Sequence, residues 1–113
     1  MIFLLVFLTT LLCFGQNVTD SKGRKQGVWS KVYQGSKVYQ YKGQFKDDKP
    51  VGTFTYYYES SKVKAIIKHS ETTVRSEAFY YHENGKLMSY GIFNSQKKDS
   101  IWLNFGPSGR LSN

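Results

Sequence analysis

Residues 78–93, AFYYHENGKLMSYGIF, read as one complete β-hairpin. Two aromatic-rich runs flank Glu83-Asn84-Gly85-Lys86, and Asn-Gly is a strong hairpin signal because a type I′ turn needs φ > 0 at both central residues. The rest of the chain reads as copies of this unit. Trp29, Phe54, Ala78 and Trp102 recur at intervals of 24 or 25 residues, each preceded two positions earlier by Gly27, Gly52, Ser76 or Ser100. Three more columns hold the same register: Val32, Tyr57, Tyr81 and Phe105; Lys37, Lys62, Lys86 and Arg110; Val38, Val63, Leu87 and Leu111. A fixed period of this length is the mark of a repeat array.

Each unit carries a reversal in its middle: Gln34-Gly35-Ser36, Glu59-Ser60-Ser61, Glu83-Asn84-Gly85 and Pro107-Ser108-Gly109. Gly, Ser, Asn and Pro supply the positive or preset φ that a tight turn needs. Lys46 to Pro50 and Asn94 to Asp99 read as polar loops outside the strands, since Pro50 lacks the N–H that a central ladder uses. The runs between turns are rich in Tyr, Phe, Trp, Val, Ile and Thr, as TFTYYY at Thr53 to Tyr58 shows. Such residues suit a pleated surface, and no window carries a helical apolar stripe. The expectation is an all-β protein, an antiparallel β-hairpin repeat array forming a single twisted meander, with units 27–51, 52–75, 76–99 and an incomplete 100–113. Side chains three positions apart on a strand point to opposite faces, so both faces carry aromatics. A sheet written this way is expected to curl, cover its second face or meet a partner. An unfinished fourth unit reads either as an open edge, with edge-to-edge self-association as one expected consequence, or as the end of a fragment of a longer array.

Met1 to Leu12, MIFLLVFLTTLL, is uncharged, apolar and too short for a stable membrane span, which takes about 20 apolar residues. Cys13 and Gly15 sit three and one positions before a cut, so residues 1–15 read as a cleavable signal peptide and the protein as secreted, periplasmic or of the cell envelope. No Lys or Arg precedes the apolar run; retention as an anchor and lipidation of Cys13 are the lesser alternatives. Residues 16–26 are polar without periodicity and read as a flexible lead-in, with order beginning at Gly27. Cys13 is the single cysteine, so a chain cut after Gly15 has no disulfide and no thiolate.

The chain holds 16 Lys and Arg against eight Asp and Glu, a net charge of +8. That excess fits either a solvated face or an anionic partner. The recurrent Lys37, Lys62, Lys86 and Arg110 define a candidate basic stripe. Tyr39, Tyr41, Tyr56 and Tyr80 are candidates for an aromatic contact surface, since tyrosine offers area at low entropic cost. His69 and His82 lie on different units without carboxylates at ligand spacing, so no metal site is expected. No nucleophile, base or acid pair stands out, and neither catalysis nor a cofactor is expected.

The pattern G-x-W-x-x-V-Y at Gly27 to Tyr33, with Gly43-Gln44-Phe45 behind it and A-F-Y-Y-H-E-N-G-K-L at Ala78 to Leu87, resembles the bacterial MORN-repeat-variant family. The resemblance covers Gly27 to Leu111. Departures are Ser60-Ser61 in place of Asn-Gly, Ile67 and His69 in place of Gly-x-Phe, and Ala78 at an aromatic anchor position. It implies a β-hairpin array of about 24 residues per unit, used as a binding surface and in many members classed as antitoxin-like, with no catalytic residues to carry over. The function expected is that of a non-catalytic secreted or periplasmic protein-interaction module with an unidentified protein partner. Its alternative is an anion-binding module for envelope polysaccharide, anionic lipid or, least expected behind a signal peptide, nucleic acid.

Overall fold

A computed structural model describes residues 16–112, apart from the side chain of Ser100; the expected signal peptide lies outside the described residues. Eight strands run in chain order: β1 (Val18–Thr19), β2 (Lys25–Val32), β3 (Tyr39–Lys46), β4 (Lys49–Tyr57), β5 (Val63–His69), β6 (Arg75–Tyr81), β7 (Leu87–Asn94) and β8 (Lys97–Asn104). They form one antiparallel sheet in which each strand pairs with the next, the meander that the hairpin repeat predicts.

Three of the four repeat turns are built alike. In the third unit the Gly85 N–H donates to the His82 carbonyl at 2.9 Å and the His82 N–H to the Lys86 carbonyl at 2.8 Å. The same two bonds recur from Ser61 to Tyr58 and Tyr58 to Lys62, and from Gly109 to Gly106 and Gly106 to Arg110. Positive φ falls on Ser61, Gly85 and Gly109 and not on Asn84, which corrects the I′ reading of Asn84-Gly85. This is a three-residue loop, a type I turn closed by one left-handed residue. Asn84 is the last central residue of the type I turn, and its Oδ1 accepts the Lys86 N–H at 2.9 Å.

The I′ geometry belongs instead to the connections between units. Asp47 and Asp48 both have positive φ between paired Lys46 and Lys49, as do Ser95 and Gln96 between paired Asn94 and Lys97. The polar loops expected at Lys46–Pro50 and Asn94–Asp99 are therefore two-residue turns, and strand extends through their flanks. Pro50 is tolerated in β4 because it faces Phe45, one residue beyond the hydrogen-bonded Lys46–Lys49 pair. Its missing N–H thus points away from β3, on a side where pairing with β5 starts only at Gly52.

The expectation that residues 16–26 are a flexible lead-in is also corrected. Val18 and Thr19 pair with Gln26 and Lys25, so order begins before Gly27. The organiser is Asp20. Its carboxylate accepts the backbone N–H groups of Lys22 and Arg24, the Arg24 Nε–H and the Gln26 amide, all within 3.0 Å. Acceptance of the Arg24 N–H, then of the Gln26 amide, holds the Asp20 pKa far below the usual carboxylate range. A depressed carboxylate stabilises the fold above its unfolded pKa and loses that contribution as pH falls through the folded value. Asp20→Ala is therefore expected at pH 7 to speed hydrogen exchange at the Val18 and Gln26 amides while leaving exchange in β4–β7 unchanged. In the parent protein, protection of β1 should persist down to about pH 4, the ordinary Asp value, and fade only below it. Equal protection in parent and variant at pH 7 would dismiss Asp20 as the organiser.

The sheet stands as a single layer among the described residues. Among the described residues four hydrophobic ones are buried, Phe54, Ala65, Ile67 and Ala78, all on β4–β6 and, by their pairing, on one face. Tyr41, Phe45, Tyr56, Tyr80, Phe93 and Trp102 pack around Phe54, Ile67 and Ala78 on that face. The opposite face carries Thr53, Thr55 and Lys68 toward its middle, with Ile66, Phe79, Tyr90 and Leu103 beyond them.

Candidate binding face

One rule, spaced by 11 residues, builds the aromatic face. The Phe54 ring lies on Gly43 and the Trp102 indole on Gly91, so close that a Cβ on either glycine would fall 2.2 Å and 2.1 Å from ring carbons. Glycine in these strands marks a backbone crossed by a neighbouring ring. Both joins are bulged, with the register shifting between Lys42 and Gln44 and between Tyr90 and Ile92. At the same offset in the middle join the sizes are reversed: Ile67 is the large member and Ala78 the small one, directly paired without a bulge. The two departures from the repeat at Ile67 and Ala78 are thus one compensated exchange.

That exchange interrupts the row of rings and leaves a trough. Phe54 and Tyr56 on β4 stand on one side, and Phe93 and Trp102 on β7 and β8 on the other; Ala65, Ile67 and Ala78 lie between. The resulting groove has a volume of about 510 Å³ and is lined by Pro50, Ile67, His69 and Phe93 toward one end and by Tyr33 and Lys64 toward the other. Its walls interlock: Phe54 meets Phe45 and His69 edge-on, each at 5.3 Å between centroids, and stacks on Tyr41 at 6.2 Å. Burial lowers the His69 pKa, so the ring is neutral at pH 7. Burial, reinforced by Tyr41 and Tyr80, raises the Tyr56 pKa; burial alone raises that of Tyr80.

The charge pattern of this face is one-sided. Of the chain's eight carboxylates, Asp20, Asp47, Asp48, Glu59, Glu71 and Glu83 occupy turns and loops, and Glu77 and Asp99 flank Ile92 on the opposite face. None lies on the aromatic face. Lysines border it: Lys25 Nζ sits 5.0 Å from the Trp29 ring and 4.9 Å from the Phe45 ring, and Lys98 Nζ sits 4.8 Å from the Trp102 ring.

The candidate tyrosines divide. Tyr41, Tyr56 and Tyr80 stand together on the aromatic face. Tyr39 pairs with Val32 on the other face, beneath Lys42 Nζ at 4.2 Å. Lys37, Lys62, Lys86 and Arg110 are exposed in successive hairpin turns along one end of the strands. Glu59 and Glu83 share those turns, and Lys86 Nζ donates to the Ser108 carbonyl at 3.2 Å.

A column that pattern reading passed over joins the units. Tyr33 and Tyr58 donate their hydroxyls to the carbonyls of Tyr57 and Tyr81, and His82 Nε2 lies 2.9 Å from the Phe105 carbonyl. Each bond reaches one unit ahead, with Tyr33, Tyr58 and His82 recurring at the repeat interval. Their signal in the sequence is that period alone, since tyrosine and histidine share little beyond a ring with a polar edge.

Among the described residues no three His, Cys, Asp or Glu side chains gather as a metal site would require, and no buried side-chain polar atom lacks a partner. No protein-family model, curated protein or solved structure matches the chain.

Proposed function

We propose that the protein is a non-catalytic protein-interaction module, a secreted or periplasmic repeat protein of the MORN-variant kind with an antitoxin-like use, acting through its aromatic face. The observation that carries this reading is a single-layer sheet whose aromatic groove nothing else in the described chain covers. Tyrosine, tryptophan and phenylalanine enrich protein interfaces because they bury large area with few torsions to freeze. A face of this composition on an unlayered sheet supports reading it as an interaction site. The alternative, an anion site at Lys37, Lys62, Lys86 and Arg110, has less support, because Glu59 and Glu83 share those turns and dilute the positive field.

Retention tests the two readings. Immobilised protein is exposed to envelope and cytoplasmic extracts at low and high salt, beside a Tyr56→Ala/Tyr80→Ala variant and a variant with the four turn cations changed to Gln. The expected result is one protein retained by the parent through high salt, lost with the tyrosine variant and kept with the turn variant. Retention limited to anionic lipid, polysaccharide or nucleic acid, all released by salt, would move the site to the basic turns.

A further inference from the structure

The groove has a definite polarity of charge, and that polarity narrows the partner. Its floor and ridges carry no ionised side chain at neutral pH, since His69 is neutral there. Exposed Lys64 lines one end. At the other end Lys98 pairs with the groove residue Phe93; Lys25, over Phe45, already has an acidic neighbour, since its backbone N–H donates to Asp48 Oδ1 at 2.7 Å. No side-chain carboxylate lies on the face itself. A basic or neutral occupant would leave Lys64 and Lys98 without counter-charge, whereas an acidic one meets them at both ends.

Length and openness point to polypeptide. From His69 to Lys64 the trough runs about 17 Å along β5, the span of about five extended residues at 3.3 Å each. It is open along its length, so an occupant can seat alternate side chains while its own backbone stays in water; an acyl chain needs closer enclosure. The sheet backbone beneath is already paired on both sides, so recognition must come from side chains, with Ser76 and His69 among the few polar groups available.

We propose that the groove over β5 and β6 receives an extended acidic segment of a partner polypeptide, its apolar side chains filling the trough and its carboxylates meeting Lys64 at one end and Lys98 at the other. This rests on the interaction-module reading above and adds to it the partner's charge and conformation.

The test titrates the full chain with fluorescein-labelled synthetic polypeptides: a glutamate-rich copolymer of Glu and Tyr, poly-Glu, and a lysine-rich copolymer of Lys and Tyr. The Glu/Tyr copolymer should bind, poly-Glu about tenfold more weakly or worse, and the Lys/Tyr copolymer weakest of all. Lys64→Glu/Lys98→Glu, two exposed changes that spare the core, should weaken Glu/Tyr binding at least about tenfold. Ser76→Tyr, which fills the groove, should do likewise with its thermal midpoint retained. Equal binding of Lys/Tyr and Glu/Tyr copolymers overturns the acidic assignment while leaving the interaction face in place. Poly-Glu binding as tightly as Glu/Tyr overturns both, because the trough then contributes nothing. No binding of Glu/Tyr, with or without uptake on phosphatidylglycerol vesicles, overturns the proposal, and vesicle uptake alone also reassigns the face to lipid.

Discussion

Gly91→Ile is expected to destabilise the protein by about 3 kcal/mol or more, at or beyond the upper end of ordinary overpacking, and Trp102→Ala placed in the same chain is expected to recover most of that loss. A Cβ at position 91 would fall 2.1 Å from Trp102 Cδ2 and 2.5 Å from Cγ. Cγ is the root of the ring, so relief requires the whole indole to swing out rather than a flexible end to bend. The indole is held where it is: Nε1 donates to the Ile92 carbonyl at 3.1 Å, and the Phe93 ring meets it at 5.0 Å. Trp102→Ala alone leaves a bare glycine facing an alanine and should cost about 2 kcal/mol, less than a fully buried tryptophan because the ring is only partly buried. Together the two changes reproduce the sizes of Ile67 and Ala78, which the fold already accommodates at the same offset. The double variant should therefore be more stable than the sum of the single losses by more than about 1 kcal/mol, measured by urea unfolding followed by circular dichroism. Strict additivity would show that the 11-residue partners do not share one space.

That pair also marks what pattern reading reached. The 24-residue period, the hairpin turns and the all-β meander are visible because turn chemistry and β-propensity act locally. Ile67 and Ala78 look like two independent departures from the repeat, since their relation is a contact between strands of different units. The polar connections escape the pattern for a similar reason. Asp47-Asp48 and Ser95-Gln96 take positive φ without glycine, so the expected chemical signal of a I′ turn is missing, while Asn84-Gly85 displays that signal in a three-residue loop. At the N-terminus, Asp20 organises β1 through four hydrogen bonds to polar groups, an order that leaves no apolar periodicity to read.

The binding face was half legible. Period-two alternation predicts aromatics on both faces, yet register decides which of them meet, and it sends Tyr41, Tyr56 and Tyr80 to one side and Tyr39 to the other. Net charge announced an excess of cations without saying where the anions go. Their placement in turns and on the far face appears only once the strands are paired, and it is on this segregation, more than on the +8 itself, that the proposal of an acidic partner rests.

Phe54→Ala is expected to be the most damaging single truncation in the sheet. Phe54 is 2% exposed and is the one large side chain fully buried among the described residues. It touches both ridges of its own half of the face, meeting Tyr41, Phe45, Tyr56 and His69, while lying across Gly43. Truncating such a ring costs about 3–5 kcal/mol, and here the glycine beneath cannot move up to fill the space. Domains of ordinary stability have about 5–15 kcal/mol in hand, and a single layer with four buried hydrophobic side chains among the described residues belongs at the low end. The thermal midpoint should accordingly fall by more than about 12 °C, at about 4–8 °C per kcal/mol for a domain of this size. Phe79→Ala supplies the contrast: Phe79 meets Tyr90 at 5.0 Å and Lys68 Nζ at 5.3 Å on the opposite face, half-buried, and its loss should cost about 1–2 kcal/mol. Melts that agree for the two variants would mean that the faces share the burden equally and that the aromatic face is no core. If Phe54→Ala melts far below Phe79→Ala, the protein's stability and its interaction surface lie on the same side of one sheet. A partner seated in the groove must then raise the melting temperature of Phe54→Ala as well as that of the parent, because binding to the folded state stabilises by mass action whatever the starting stability.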